Sequence, residues 1–179
     1  RWDPGDAMAA VAVRAPAMRH GGFLRNADCF AHRCFGISSA EAGAMDPQQR
    51  RLLEHGDAAL RAAGLGRAEL MGSGVGVYVG VWACEFAEVL RLRPAGGGVY
   101  ASTGASCSVV VGRVSFALGL QGPCVSFDTA CSAGLVACHS GRRGLQHAEC
   151  AEALAGGVNM LFSPAVCAVC LLYTSDAAD

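Results

Sequence analysis

Gly122-Pro-Cys-Val-Ser-Phe-Asp-Thr-Ala-Cys-Ser-Ala-Gly-Leu-Val-Ala137 changes character halfway along. From Cys124 to Thr129 the residues alternate and β-forming types dominate, which predicts a short strand. From Ser132 onward the residues are small and apolar, with Leu135, Val136 and Cys138, which predicts a buried helix. The joint is Ala130-Cys131-Ser132. A cysteine there sits at the positive end of a helix, where free backbone N–H groups and the helix dipole stabilise a thiolate. The same amides can hold the oxyanion that forms when a thioester carbonyl is attacked. Ala133, Gly134 and Ala137 let the helix pack closely beneath such a nucleophile. Most cysteines in a chain are inert buried thiols. Its place on the joint separates Cys131 from the other nine and makes it the candidate catalytic residue.

This window resembles the nucleophile motif of the β-ketoacyl synthases, in particular the ketosynthase domains of modular polyketide synthases. Their motif usually reads Asp-Thr-Ala-Cys-Ser-Ser-Ser-Leu. Here it reads Asp128-Thr-Ala-Cys-Ser-Ala-Gly-Leu135, with Ala133-Gly134 in place of two serines. Further segments are similar to the same family and stand in the same order. They are Arg19-His-Gly-Gly-Phe-Leu24, Asp46-Pro-Gln-Gln-Arg50, Gly76-Val-Tyr-Val-Gly80, Gly112-Arg-Val-Ser115, Leu118-Gly-Leu-Gln-Gly-Pro123 and Ala153-Leu-Ala-Gly-Gly-Val-Asn159.

Composition narrows the class independently. A chain of 179 residues is long enough for one domain with a sizeable core. It is 53% hydrophobic, with a mean hydropathy of +0.34, which suits an α/β core whose central elements are covered on both faces. The longest apolar runs fall short of the ~18 residues a membrane span needs. A net charge of −1 gives no footprint for nucleic acid. Ten cysteines without loop-bounded, even spacing point to a reduced intracellular protein, cytoplasmic by expectation, rather than a disulfide scaffold. No histidine has a metal-ligand partner at useful spacing.

The elements follow from local signals. Arg1 to Met18 reads as irregular and the stretch to Phe35 as a loop with aromatic anchors. Asp46 suits an N-cap and Pro47 a first helical turn. The helix they open carries an apolar face of Leu52, Leu53, Ala59, Leu60 and Ala63, ends at Gly64, and exposes Glu54, His55 and Asp57. The Asp46–Arg50 motif is assigned a structural role. Gly72 to Val81 predicts a glycine turn and then a buried strand. Dinucleotide loops have the reverse order, so NAD binding is rejected. Trp82 to Gly98 predicts a helix and a loop, and Thr103 to Leu118 a buried helix closed by Gly119. Arg113 on that helix needs an ion-pair partner. The helix after the joint is expected to reach about Glu149, and Ala151 to Met160 to form a buried strand. Alternation of strands and helices implies a mostly parallel sheet.

The resemblance implies more. It implies the thiolase-like α/β fold, of which this chain would be a part, mostly the N-terminal α-β-α-β-α half, acting as a homodimer. It implies that Cys131 takes an acyl chain as a thioester from the phosphopantetheine of an acyl carrier protein. A malonyl-type thioester is then decarboxylated and its carbanion attacks, giving a β-ketoacyl thioester. Neither a directly bound cofactor nor a metal is implied. The family also needs two histidines in His-Gly-Thr and Gly-His contexts, and none of the five here, at 20, 32, 55, 139 and 147, has either. His139 lies about 12 Å along the helix from Cys131 and cannot serve as its base. The expectation is an N-terminal piece, residues 1–169, unable to condense by itself. Residues 170–179 read as an in-frame translation of a sequencing-library adapter, which makes Cys167-Ala-Val-Cys170 an accidental motif. Arg1-Trp-Asp lacks an initiator Met and reads as the middle of a longer chain. Another thiolase-type acyltransferase and a non-catalytic structural piece remain the alternatives.

Overall fold

The computed structural model describes residues 22–82, 85–92 and 98–162. His20, Cys167, Cys170 and the tail 170–179 lie outside the described residues. The chain divides into two compact units, Asp28–Met160 and a second formed by Arg1–Ala27 with Leu161–Asp179. The account below concerns the first.

Its centre is a parallel sheet of β1 (Gly76–Val81), β2 (Cys124–Phe127) and β3 (Ala153–Val158), in the order β2-β1-β3. Val77 is in register with Cys124 on one side and Leu154 on the other. All six residues of β1 are buried, because its Val-Tyr-Val core is covered on both faces. Val77 and Val79 face one side and join Leu53 and Leu60 of α2 (Pro47–Ala62) and Val111, Val114 and Leu118 of α6 (Cys107–Leu118) in the main core. Tyr78 faces the other side and packs with Ala137 of α7 (Ala133–Gln146) and with Cys150. Burial pushes the Tyr78 phenol up to about 12, and its contact with the Cys150 thiol at 3.8 Å acts in the same direction. Shorter helices complete the chain order: α1 (Ser39–Ala44), α3 (Arg67–Leu70), α4 (Phe86–Arg91) and α5 (Ala101–Gly104).

The helix ends obey their local chemistry. Asp46 caps α2 by accepting the Gln48 N–H at 2.8 Å, with Pro47 in the first turn. Gly119 closes α6 in the left-handed region, at φ 74°. The buried polar motif is structural, as its sequence predicted. Gln49 donates to the carbonyls of Thr103 and Gly104, at 3.0 and 3.1 Å. Arg50 donates twice to the Met45 carbonyl and stacks over Phe86. Arg113 finds its partners in Glu41, at 2.5 Å, and the Gln49 side-chain oxygen, at 2.8 Å.

Several expectations need correction. The strand at the joint is shorter than read, ending at Phe127, and as an edge strand it is largely exposed. Thr103 to Leu118 is two helices broken at Ala105-Ser106, and Phe116 within it is 89% exposed. The buried face of α2 runs through Leu53, Gly56 and Leu60, leaving Ala59 and Ala63 exposed. Asp57 and Glu54 are ion-paired with Arg61 and Arg51 rather than simply solvated. The helix after the joint stops at Gln146 and is buried only along Ala133, Ala137, Gly141 and Gly144, the side that meets the sheet. β3 spans Ala153–Val158 and is half-buried, because it too is an edge.

Candidate active site

Cys131 stands where β2 has ended and α7 has not begun, in a single 3-10 turn, Ala130–Ser132, and it is exposed. The turn is tight because Ala130 adopts the left-handed conformation at φ 51°, a strained region for a residue with a Cβ. Local hydrogen bonds hold it there. Asp128 Oδ1 accepts from the Ala130 N–H at 3.4 Å, and the Ser132 N–H donates to the Thr129 carbonyl at 3.2 Å. The Ser132 hydroxyl also turns back, donating to the Thr129 carbonyl at 2.8 Å with the Thr129 hydroxyl 2.9 Å away. Ser132 therefore makes no side-chain cap on α7. The first-turn amides of a helix have no partners within it. The Ser132 and Ala133 N–H groups are spent within the turn, on the Thr129 and Ala130 carbonyls, and Cys131 sits just before the positive end of α7.

The floor beneath the turn is backbone. A Cβ at Gly80 of β1 would collide with the Ala133 carbonyl and lie 2.6 Å from the Gly134 nitrogen. A Cβ at Gly157 of β3 would lie 3.3 Å from the Gly134 Cα. Helix α7 thus begins directly on two strands, with side chains absent from both partners. Gly80 and Gly157 are positions of close backbone approach that reading the strands as plain core missed. A glycine inside a strand pattern is itself the signal for close backbone approach.

None of the described histidines lies within the turn. His32 Nδ1 contacts the Ile37 carbonyl at 2.5 Å, His55 is exposed on α2, and His139 sits two turns along α7. Among the described residues no group of three or more His, Cys, Asp or Glu could hold a metal ion. Among them, too, no helix is long and apolar enough to cross a membrane.

The sequence model of the β-ketoacyl synthase N-terminal domain matches residues 1–172. The chain belongs to that family. Similar proteins include the polyketide synthase GfsB of Streptomyces halstedii, 47% identical over 146 residues, and the erythronolide synthase EryA3 of Saccharopolyspora erythraea, 45% identical over 165 residues. These matches cover 82% and 89% of this chain but only 3% and 5% of those much longer proteins. Among solved structures, the ketosynthase from module 6 of the bacillaene synthase of Bacillus subtilis 168 superposes with a TM-score of 0.74 at 32% identity. The Streptomyces albus oxazolomycin ketosynthase domain OzmH KS7 gives 0.71 at 35%. The matches cover 84% and 80% of this chain and a quarter of each neighbour. Its fold is the thiolase-like α/β fold in part, as the motifs predicted.

Proposed function

We propose that Cys131 is the acyl-accepting nucleophile of a condensing enzyme that works in polyketide or fatty-acid synthesis. The supporting observation is the exposed sulfur on a strained joint at the N-terminus of α7. In this reading the thiolate attacks the carbonyl of an acyl thioester carried on the phosphopantetheine of an acyl carrier protein. The Cys131 backbone N–H, the one amide of the turn not donating to Asp128 or Thr129, holds the oxyanion, and the carrier thiol leaves. The thioester on Cys131 is then attacked by the carbanion released when a malonyl-type thioester loses carbon dioxide. Carbon–carbon bond formation frees the Cys131 thiolate again. The decarboxylation is assigned to histidines in His-Gly-Thr and Gly-His contexts, which none of the five here has, so residues 1–169 are not expected to condense by themselves. The working unit is a homodimer, with a second copy along the free edge of β2, whose Cys124, Val125 and Ser126 are exposed.

Alkylation with iodoacetamide at neutral pH, read by mass spectrometry, tests the nucleophile. Cys131 is expected to label several-fold faster than Cys124 and Cys138, which are also exposed. Equal rates at the three would remove the assignment.

A further inference from the structure

The nucleophile turn rests on β3, and β3 is held at its carboxyl end by a side chain from the opposite face of the sheet. Gln48 is fully buried in the first turn of α2. Its Oε1 accepts the Met160 N–H at 3.1 Å, while its Nε2 donates to Asp46 Oδ2 at 3.2 Å. Asp46 Oδ1 is fixed in turn by the Gln48 backbone N–H. The carboxylate therefore orients the amide: nitrogen toward Asp46, oxygen toward Met160.

Met160 lies just beyond the ladder. The last paired residue of β3 is Val158, opposite Val81 of β1. Past that point a half-buried backbone N–H finds no partner in the ladder and takes one from outside the sheet. Gln48 supplies one from 112 residues away. Three residues before Met160, Gly157 lies against the Gly134 Cα, and Gly134 is three residues after Cys131. The path from Gln48 to the sulfur is thus one hydrogen bond, one strand end and one backbone-on-backbone contact.

We infer that Gln48 is a positioning residue for the Cys131 turn, acting through the Met160 backbone at the carboxyl end of β3. The inference rests on the reading of Cys131 as nucleophile for its consequence, but not for its geometry. Asp46 serves it by orienting the amide. Without the bond the end of β3 frays from β1, Gly157 no longer supports Gly134, and the start of α7 loosens beneath the sulfur.

Amide hydrogen exchange on the 179-residue chain tests this, with Gln48→Met removing both polar atoms at nearly constant volume. Exchange is expected to rise about tenfold at 157–160 and at 137–139, in the first hydrogen-bonded turn of α7, the factor one lost hydrogen bond implies. Amides 77–79 of β1 should stay protected. Met160→Pro, which deletes the donor and leaves Gln48 intact, should give the same pattern, and the double variant no more than either alone. Gln48→Glu alone should not restore protection, because it sets a second buried carboxylate against Asp46 Oδ2; combined with Asp46→Asn, which turns that neighbour into a donor and keeps the acceptor for Met160, it should. Unchanged exchange at 137–139 in both single variants overturns the proposal. So does a uniform rise that includes 77–79 and α2, which marks general destabilisation. Iodoacetamide labelling separates the two readings. A slower Cys131 in Gln48→Met, with Cys124 and Cys138 unchanged, supports both. A wild-type Cys131 no faster than those two removes the nucleophile reading and leaves the exchange pattern to decide the role of Gln48.

Discussion

Ala130 holds a conformation in which an L-residue brings its Cβ close to a carbonyl oxygen, at a cost of about 1–2 kcal/mol. The neighbouring bonds to Asp128 and Thr129 keep it there. Ala130→Gly should therefore stabilise the chain, by about 0.5–1 kcal/mol once the freer unfolded state is counted. The same change should slow Cys131 alkylation, because the turn is no longer held in one shape. Urea titration and labelling together check this, and a loss of stability would mean the turn is not strained. Asp46 makes a second prediction. Burial raises its carboxyl above the ordinary 3.8, although the Gln48 hydrogen bonds and the Arg50 charge pull the other way. A folded state that holds its proton more tightly is favoured below 3.8 and loses that advantage as pH rises through the raised value. Asp46→Asn removes the titration and keeps an oxygen for the cap. Its stability relative to wild type should climb as pH rises from 3.8 through that window. Asp46→Ala loses the cap and should cost about 1 kcal/mol at neutral pH. Thermal melts across pH distinguish the two.

At the scale of elements, α7 is a helix that packs by lacking side chains. Ala133, Ala137, Gly141 and Gly144 form its buried side, and β1 and β3 answer with Gly80, Ala153 and Ala155. The axis can then lie close to the sheet, which brings the helix start within backbone contact of β1. Adding atoms at that contact should be felt directly at the turn. Gly80→Ala is expected to destabilise by about 1–3 kcal/mol, since backbone atoms rather than a flexible side-chain end stand in the way. It should also lower Cys131 alkylation more than alkylation of Cys124, because the displaced element is the one that carries the turn. Wild-type stability and labelling in Gly80→Ala would show that the helix start moves freely over β1.

Over the whole molecule, the apolar surface is unevenly covered. Phe116 is 89% exposed and Leu135 76%, and Val125 of the edge strand is 37% exposed. The chain spans a quarter of the solved ketosynthases it matches, and exposed apolar side chains that gather into a patch mark contact regions. The proposed homodimer along β2 gives one of them a definite occupant. Sedimentation equilibrium should find a dimer for the wild-type chain, and Val125→Lys should shift it toward monomer by placing like charges on the pairing edge. A wild-type chain that stays monomeric up to about 100 µM, where even a weak dimer would begin to form, would remove the edge from consideration.

The sequence by itself determined the joint and the ends of its neighbours, because those are short-range facts. A β-rich run meeting small helix formers places Cys131 on a turn, Asp46-Pro47 starts α2 and Gly119 stops α6, each through backbone chemistry within a few residues. The parallel α/β order followed from alternating patterns in the same way. The tertiary structure alone decided which faces are covered. Apolar periodicity marks Phe116 of α6 and Leu135 of α7 as candidates for burial, yet each helix is covered along one side only and leaves that residue exposed. It alone revealed why Gln48 and Gln49 are buried, since their partners are backbone groups 112 and 55 residues distant. Long-range hydrogen bonds of this kind leave no local pattern, because any segment that brings a free N–H or carbonyl into reach can supply the partner.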